Sequence, residues 1–336
     1  MPNRKPAMIA SLRYLACLLA ALFVPVGAVA APSDAPRNVG FQQLSVDGTE
    51  IGIWYPTSAA TAPHPLELFT QAVAIDAPVA GHELPLIVVS HGNGGGFAGH
   101  FDTALALARA GFVVASLTHP GDNWRDQRRA LDVAARPRAL SALIDYMLAR
   151  WPGHAALDAR RVGAFGFSSG GFTVLAAAGA VPDLGRLRQH CTEHPTFYDC
   201  ALLAAHADAA AALSVPRSWN ADHRIRALAV AAPALGFTFD RAGLATLTMP
   251  IQLWRAADDH VLPQPYYADA VAKNLPSPPD YHVVPGADHF DFLAPCSIAL
   301  AAQVPAICHS APGFDRAAFH TSFDAAVVAF FARTLR

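Results

Sequence analysis

Uninterrupted apolar runs, each about one strand long, recur along the middle of the chain. They are Leu84 to Ser90 (LPLIVVS), Phe112 to Leu117 (FVVASL), Arg161 to Phe167 (RVGAFGF) and Arg226 to Ala232. Runs with no polar alternation belong to strands buried on both faces, as in a parallel sheet. Between the first two, Phe101, Leu105 and Ala108 recur at helical spacing, with Gly111 as the C-cap. Arg136-Pro137 opens a second helix that runs to Trp151, with proline in or near its first turn. This alternation predicts a doubly wound, mostly parallel α/β sheet with helices on both faces, whose functional residues lie at the carboxyl ends of the strands. Ahead of it, Phe41 to Asp47 and Thr49 to Tyr55 flank Asp47-Gly48 and read as a hairpin. Residues 56–83, rich in Pro and Ala, show no clear period and read as a long surface connection. Residues 182–223 break the rhythm again and read as a small helical insertion. Pro250 to Trp254 and Tyr281 to Val284 are the last two strands, and Phe314 to Leu335 is an amphipathic closing helix.

The chain's first residues have another pattern. Arg4 and Lys5 precede an apolar core, Tyr14 to Val26, and Ala28-Val29-Ala30 is a small-x-small cleavage site. Residues 1–30 therefore read as a secretory signal peptide, leaving 31–336 as one domain with an insertion at about 182–223. Pro25 and Gly27 cut the apolar run below the ~20 residues of a membrane span. Cys17 sits too early in the apolar core, behind Tyr14, to be a lipid-attachment site. The expected location is the periplasm or the exterior, with no membrane span in the mature chain.

Composition narrows the partners. The 336 residues carry a net charge of −2 and only 15% charged side chains, which excludes the basic face that nucleic acid demands. Outside the leader there are four cysteines. Local pairing, Cys191 with Cys200 and Cys296 with Cys308, is the expectation for an exported chain. A metal site built from His190, Cys191, His194, Cys200 and His206 matches no zinc-module spacing, so no metal is expected.

Chemistry concentrates at Gly166-Phe167-Ser168-Ser169-Gly170. A G-x-S-x-G pentapeptide is weak alone, but here it joins a strand to a small, apolar helical stretch, the context of a nucleophile elbow. Serine needs a base within hydrogen-bond reach and an acid to orient that base. The acid belongs on the loop after Pro250 to Trp254, where Asp258 and Asp259 compete. Asp259 stands four residues before Pro263 and is preferred. The base belongs after the last strand, which selects His289. His282 lies inside that strand, and His260 follows the acid too closely. Asp288 and Asp291 read as solvated or loop-capping carboxylates. The oxyanion of acyl transfer needs two N–H donors: the backbone amide of Ser169 and, from the glycine-rich turn His91 to Gly96, that of Asn93. This turn lacks the G-K-[ST] ending and the G-x-G-x-x-G spacing of phosphate loops. Phe97, His119, Trp124 and Phe290 lie on loops at the strand ends and are the candidate pocket residues.

Ser90-His91-Gly92, the elbow with Asp158 and Arg161-Val162 before it, His289 before Phe290-Asp291-Phe292, and Ile53-Trp54-Tyr55-Pro56 together resemble an α/β-hydrolase. The chain is most similar to the secreted bacterial proteins called predicted dienelactone hydrolases, related to platelet-activating factor acetylhydrolases. The similarity runs from about Phe41 to the C-terminus and thins over 182–223. It implies an α/β-hydrolase sheet, an ester substrate and no cofactor. Dienelactone hydrolases proper use a cysteine nucleophile, whereas this elbow carries Ser168, so the resemblance implies a serine carboxylesterase rather than a lactone hydrolase. An aspartate, which haloalkane dehalogenases need at the elbow, is absent. A modest insertion favours short- to medium-chain acyl esters. The same triad serves an amidase, a peptidase or an acyltransferase.

Overall fold

A computed structural model describes residues 1–2, 38–206, 219 and 221–336. The proposed leader, including Cys17, lies outside the described residues apart from Met1 and Pro2. The apolar runs form the middle of a ten-stranded sheet. Its strands are β1 (Asn38–Val46), β2 (Thr49–Thr57), β3 (Ala62–Leu66), β4 (Phe69–Ile75), β5 (Leu84–Ser90), β6 (Val113–Leu117), β7 (Leu157–Phe167), β8 (Ile225–Ala231), β9 (Ile251–Ala256) and β10 (Asp280–Val284). Their order is β10-β9-β8-β7-β5-β6-β2-β1-β4-β3. From β6 to β10 every pairing is parallel. Antiparallel β2 and β1 extend one side.

Strand alternation divides the core into two layers. Leu86, Val88, Val162 and Ala164 face the layer that holds α2 (Ala135–Ala149) and α3 (Ser169–Ala177). Ile87, Val89, Phe165 and Phe167 face the layer of α1 (Phe101–Arg109) and the closing helix Arg316–Thr334. The closing helix buries His320, Phe323, Val327 and Phe330, a seam at spacings of three and four.

Residues 56–83 correct the sequence reading. Instead of an irregular connection they contain the β3–β4 hairpin, with β4 parallel to β1. Pro63 and Pro65 hid it, because proline argues against a strand. Here β3 is the sheet's edge, where missing N–H donors are tolerated.

The stretch after α3 forms two short helices, α4 (Arg186–Glu193) and α5 (Tyr198–Ala205). The Cys191–Cys200 disulfide ties them together, and a second bridge joins Cys296 to Cys308. Such bridges persist in oxidising compartments. Among the described residues, no helix is long and apolar enough to cross a membrane.

Candidate active site

At the end of β7 the chain turns so sharply into α3 that Ser168 adopts φ 55°, ψ −120°, a conformation costly for a side-chain-bearing residue. The turn brings backbones together. A Cβ on Gly170 would lie 1.8 Å from the Ser90 carbonyl oxygen, and one on Gly166 would lie 2.2 Å from that of Gly170. No side chain fits at either place. The elbow is held by Ser168 N–H donating to Ala231 O and by Ala234 N–H donating to Ser168 O, both at 2.9 Å.

His289 and Asp259 meet this serine from two further loops. His289 Nε2 lies 3.1 Å from Ser168 Oγ, and Nδ1 lies 2.9 Å from Asp259 Oδ2. An ionised carboxylate only accepts, so Nδ1 carries the proton and Nε2 faces the hydroxyl as an acceptor. The other Asp259 oxygen accepts from the backbone amides of Leu262 at 2.6 Å and Val261 at 3.0 Å. His289 and Asp259 are 1% and 6% exposed, and the Phe167 ring packs 4.8 Å from the imidazole.

The rival residues lie elsewhere. Asp258 is exposed, exposed His260 contacts Asp288, and His282 stacks on Trp254. Asp288 caps the turn of His289, accepting from its amide at 2.7 Å. Asp291, read as a solvated or loop-capping carboxylate, caps the same turn, accepting from the Asp288 amide at 2.8 Å. It is fully buried and paired with Arg316 at 3.0 Å.

Ser169 follows the serine in the chain, and Gly92, next to Asn93, packs against it, since a Cβ on Gly92 would lie 3.3 Å from that of Ser168. Neither the Asn93 nor the Ser169 backbone N–H has a hydrogen-bond partner among the described residues, and Ser169 opens α3, where N–H groups are free and the helix dipole is positive. The turn bearing Asn93 is anchored by a buried ion pair that sequence reasoning missed. Asp122 Oδ1 accepts from Asn93 Nδ2 at 2.7 Å and from Gly94 N at 2.9 Å. Its other oxygen pairs with Arg136, which also donates to the His91 carbonyl and to Thr173. From the opposite side, the Tyr198 hydroxyl on α5 donates to Asn93 Oδ1 at 2.6 Å.

A cavity of about 570 Å³ opens over Ser168 and Ser169, within the size range of small-molecule sites. Leu131 to Ala134, Ala234, Leu235 and Leu262 form its walls. Leu187, Tyr198, Asp199, Leu202 and Leu203 form the side made by α4 and α5. Helices α4 and α5 thus form one wall of the space over the serine. None of the four expected pocket residues lines this space. Phe97 is buried against Trp54, and His119 is buried with Nε2 2.8 Å from Ser90 Oγ. Trp124 is exposed beneath Arg125, and Phe290 stands half-buried beside His289. All four lie on loops at the right end of the sheet, but loop residues carry no period to tell which way they point. The leucines of α4 and α5 were the available signal.

Neither a protein-family model nor a curated protein matches the chain. A solved structure of a ferulic acid esterase from Streptomyces cinnamoneus is similar, with a TM-score of 0.59 at 20% sequence identity. The match covers 92% of this chain and 93% of that one. The fold is that of an α/β-hydrolase. Ser168 lies at the turn from β7 into α3, and Asp259 and His289 follow it along the chain.

Several imidazoles in this protein are buried without charge. Burial, and then the Arg136 charge, hold those of His91 and His119 well below their ordinary range. Burial pushes His100 and His190 down to about 4. Unfolded, each titrates near ~6.5, so below that pH the unfolded chain binds the extra protons. Stability then falls as pH falls, by about 1.4 kcal/mol per unit for each group. Glu67, Asp199 and Asp324, raised by burial, act in the opposite sense, but the four imidazoles outnumber them. We expect the urea midpoint to decline steadily from pH 6.5 towards pH 4. A midpoint that holds or rises across that interval contradicts neutral burial of these residues.

Proposed function

We propose that the protein is a serine-type carboxylic ester hydrolase working through an acyl-enzyme. The observation that carries this reading is the unbroken Ser168–His289–Asp259 contact chain at the floor of the cavity. Ser168 Oγ attacks the ester carbonyl as its proton passes to His289 Nε2, and Asp259 stabilises the imidazolium. The carbonyl oxygen becomes an oxyanion between the amides of Ser169 and Asn93, a donor pair of which each member contributes about 2.7–4 kcal/mol. Collapse breaks the ester C–O bond, and the alcohol leaves with the proton from Nε2. Water, deprotonated by His289, then attacks the acyl-enzyme and releases the acid. The scheme needs no cofactor.

The substrate class we propose is a small ester with a short- to medium-chain acyl group, in keeping with a capped cavity of about 570 Å³ lined mainly by leucine and alanine. The similar solved structure is an esterase by name, which agrees with this reading. The two disulfides and the leader-like residues 1–30 agree with export to the periplasm or beyond.

The test uses residues 31–336 with oxidised cysteines, p-nitrophenyl esters from acetate to palmitate, and the matching p-nitroanilides. Ester turnover peaking at or below octanoate, with much slower amide turnover, is expected. Rates that climb steadily to palmitate contradict the chain-length assignment. Anilides cleaved as fast as esters make the protein an amidase.

A further inference from the structure

From Gly92 to Gly96, Asn93 is the one residue with a side chain. Glycine leaves the backbone on either side of it conformationally free. Neither the N–H nor the carbonyl of Asn93 has a partner among the described residues. The direction of its N–H therefore rests on the side chain, and both ends of that side chain are tied. Nδ2 donates to Asp122 Oδ1 at 2.7 Å, and Oδ1 accepts from the Tyr198 hydroxyl at 2.6 Å. The Asp122 carboxylate, paired with Arg136, only accepts, so it fixes which end of the amide faces it. Oδ1 is thereby left to Tyr198, and the phenol must donate.

The two ties come from different parts of the molecule. Asp122 is buried on the loop after β6. Tyr198 lies in the first turn of α5, on the wall of the cavity over Ser168. Its ring is 40% exposed, yet the next two residues hold it in place. Asp199 Oδ1 accepts from the buried Tyr267 hydroxyl at 3.0 Å, and Cys200 is bridged to Cys191. A tyrosine has only two torsions to fix, so ordering it for this bond costs little entropy. Burial, and then the Asp122 charge, raise the phenol above its ordinary range, which keeps it a donor at neutral pH.

We propose that Tyr198 is a positioning residue of the oxyanion site. Its hydroxyl holds the Asn93 side chain from the α5 side, so that the Asn93 N–H is set towards the oxyanion before substrate arrives. This assignment rests on the esterase reading above, in which the Asn93 amide is one of the two donors. It makes the α4–α5 wall part of the catalytic apparatus as well as a boundary of the cavity. Acylation and deacylation both pass through an oxyanion, so whichever step limits turnover feels the loss of the hydroxyl. The ester ground state has no such charge, and the loss falls on kcat rather than KM.

The experiment uses the mature chain with oxidised cysteines and p-nitrophenyl butyrate. Tyr198→Phe keeps the ring, and with it the cavity wall, and removes only the donor. We expect it to lower kcat about tenfold, the worth of one hydrogen bond, while KM changes by less than about twofold. Affinity for a trifluoromethyl ketone, which forms an oxyanion on the serine, should weaken by the same factor, with the urea midpoint unmoved. Wild-type kcat in Tyr198→Phe, or a loss carried by KM alone, overturns the proposal. Ser168→Ala tests the esterase reading separately, since it asks whether turnover depends on the serine at all. A last readout needs no turnover. The amides of Gly94 and Gly95 donate to Asp122 and to the Gly92 carbonyl, and their hydrogen exchange should quicken several-fold in Tyr198→Phe. Unchanged exchange there means that Tyr198 does not hold the turn, and overturns the proposal whatever the activity.

Discussion

His289→Ala is expected to lower kcat by about four to six orders of magnitude. Without it the Ser168 hydroxyl has neither a base to take its proton nor an acid to return one to the leaving alcohol. No other imidazole replaces it: His260 is exposed against Asp288, and His282 is stacked on Trp254. The Asn93 and Ser169 amides remain in place, so KM changes little and a residual rate survives. Asp259→Asn is the milder companion, costing about 10⁴ because it upsets the imidazole's tautomer rather than removing the ring. Single-turnover kinetics on an activated ester check both. A His289→Ala protein within tenfold of wild type contradicts the assigned role.

The second large effect is on stability. Asp122→Ala strips the partner from the Arg136 guanidinium, which is 2% exposed, and removes the acceptor of both Asn93 Nδ2 and Gly94 N. Breaking a buried ion pair from one side costs about 3–5 kcal/mol, because the remaining charge is stranded. Activity should fall as well, by about 10²–10³, since an unanchored turn no longer presents the Asn93 amide to the oxyanion. The control is Asp126→Ala, whose pair with Arg128 is exposed; surface changes of that kind stay within about 0.5 kcal/mol. Urea unfolding of the two variants makes the comparison. Equal midpoints contradict the anchoring role of Asp122.

That ion pair marks where the sequence stopped being legible. Asp122 and Arg136 stand fourteen positions apart on loop and helix, and nothing in local pattern distinguishes a buried pair from two solvated charges. The same holds for Asp291: its place beside His289 suggested a solvated or loop-capping carboxylate, and it does cap that turn, but its buried pair with Arg316 left no local trace. Strands buried on both faces, by contrast, announce themselves. Leu84 to Ser90 has one composition because both its faces are covered, and a parallel sheet then fixes which ends carry the loops. Position within that frame singled out Ser168, Asp259 and His289 as candidates. The edge hairpin β3–β4 escaped because proline is tolerated only where a strand lacks a neighbour, and sequence does not say which strand that is. The four expected pocket residues had the correct loops and the wrong directions. Phe97, for example, turns into the layer of Trp54 rather than towards Ser168.

The most direct test of the account is to trap the nucleophile. The mature chain is incubated with a p-nitrophenyl phosphonate ester, and its peptides are mapped by mass spectrometry. The account predicts one covalent phosphonyl group per chain, on Ser168, with ester hydrolysis lost in step with labelling. An unlabelled Ser168 in an inactivated enzyme, or a label carried by another residue, contradicts it.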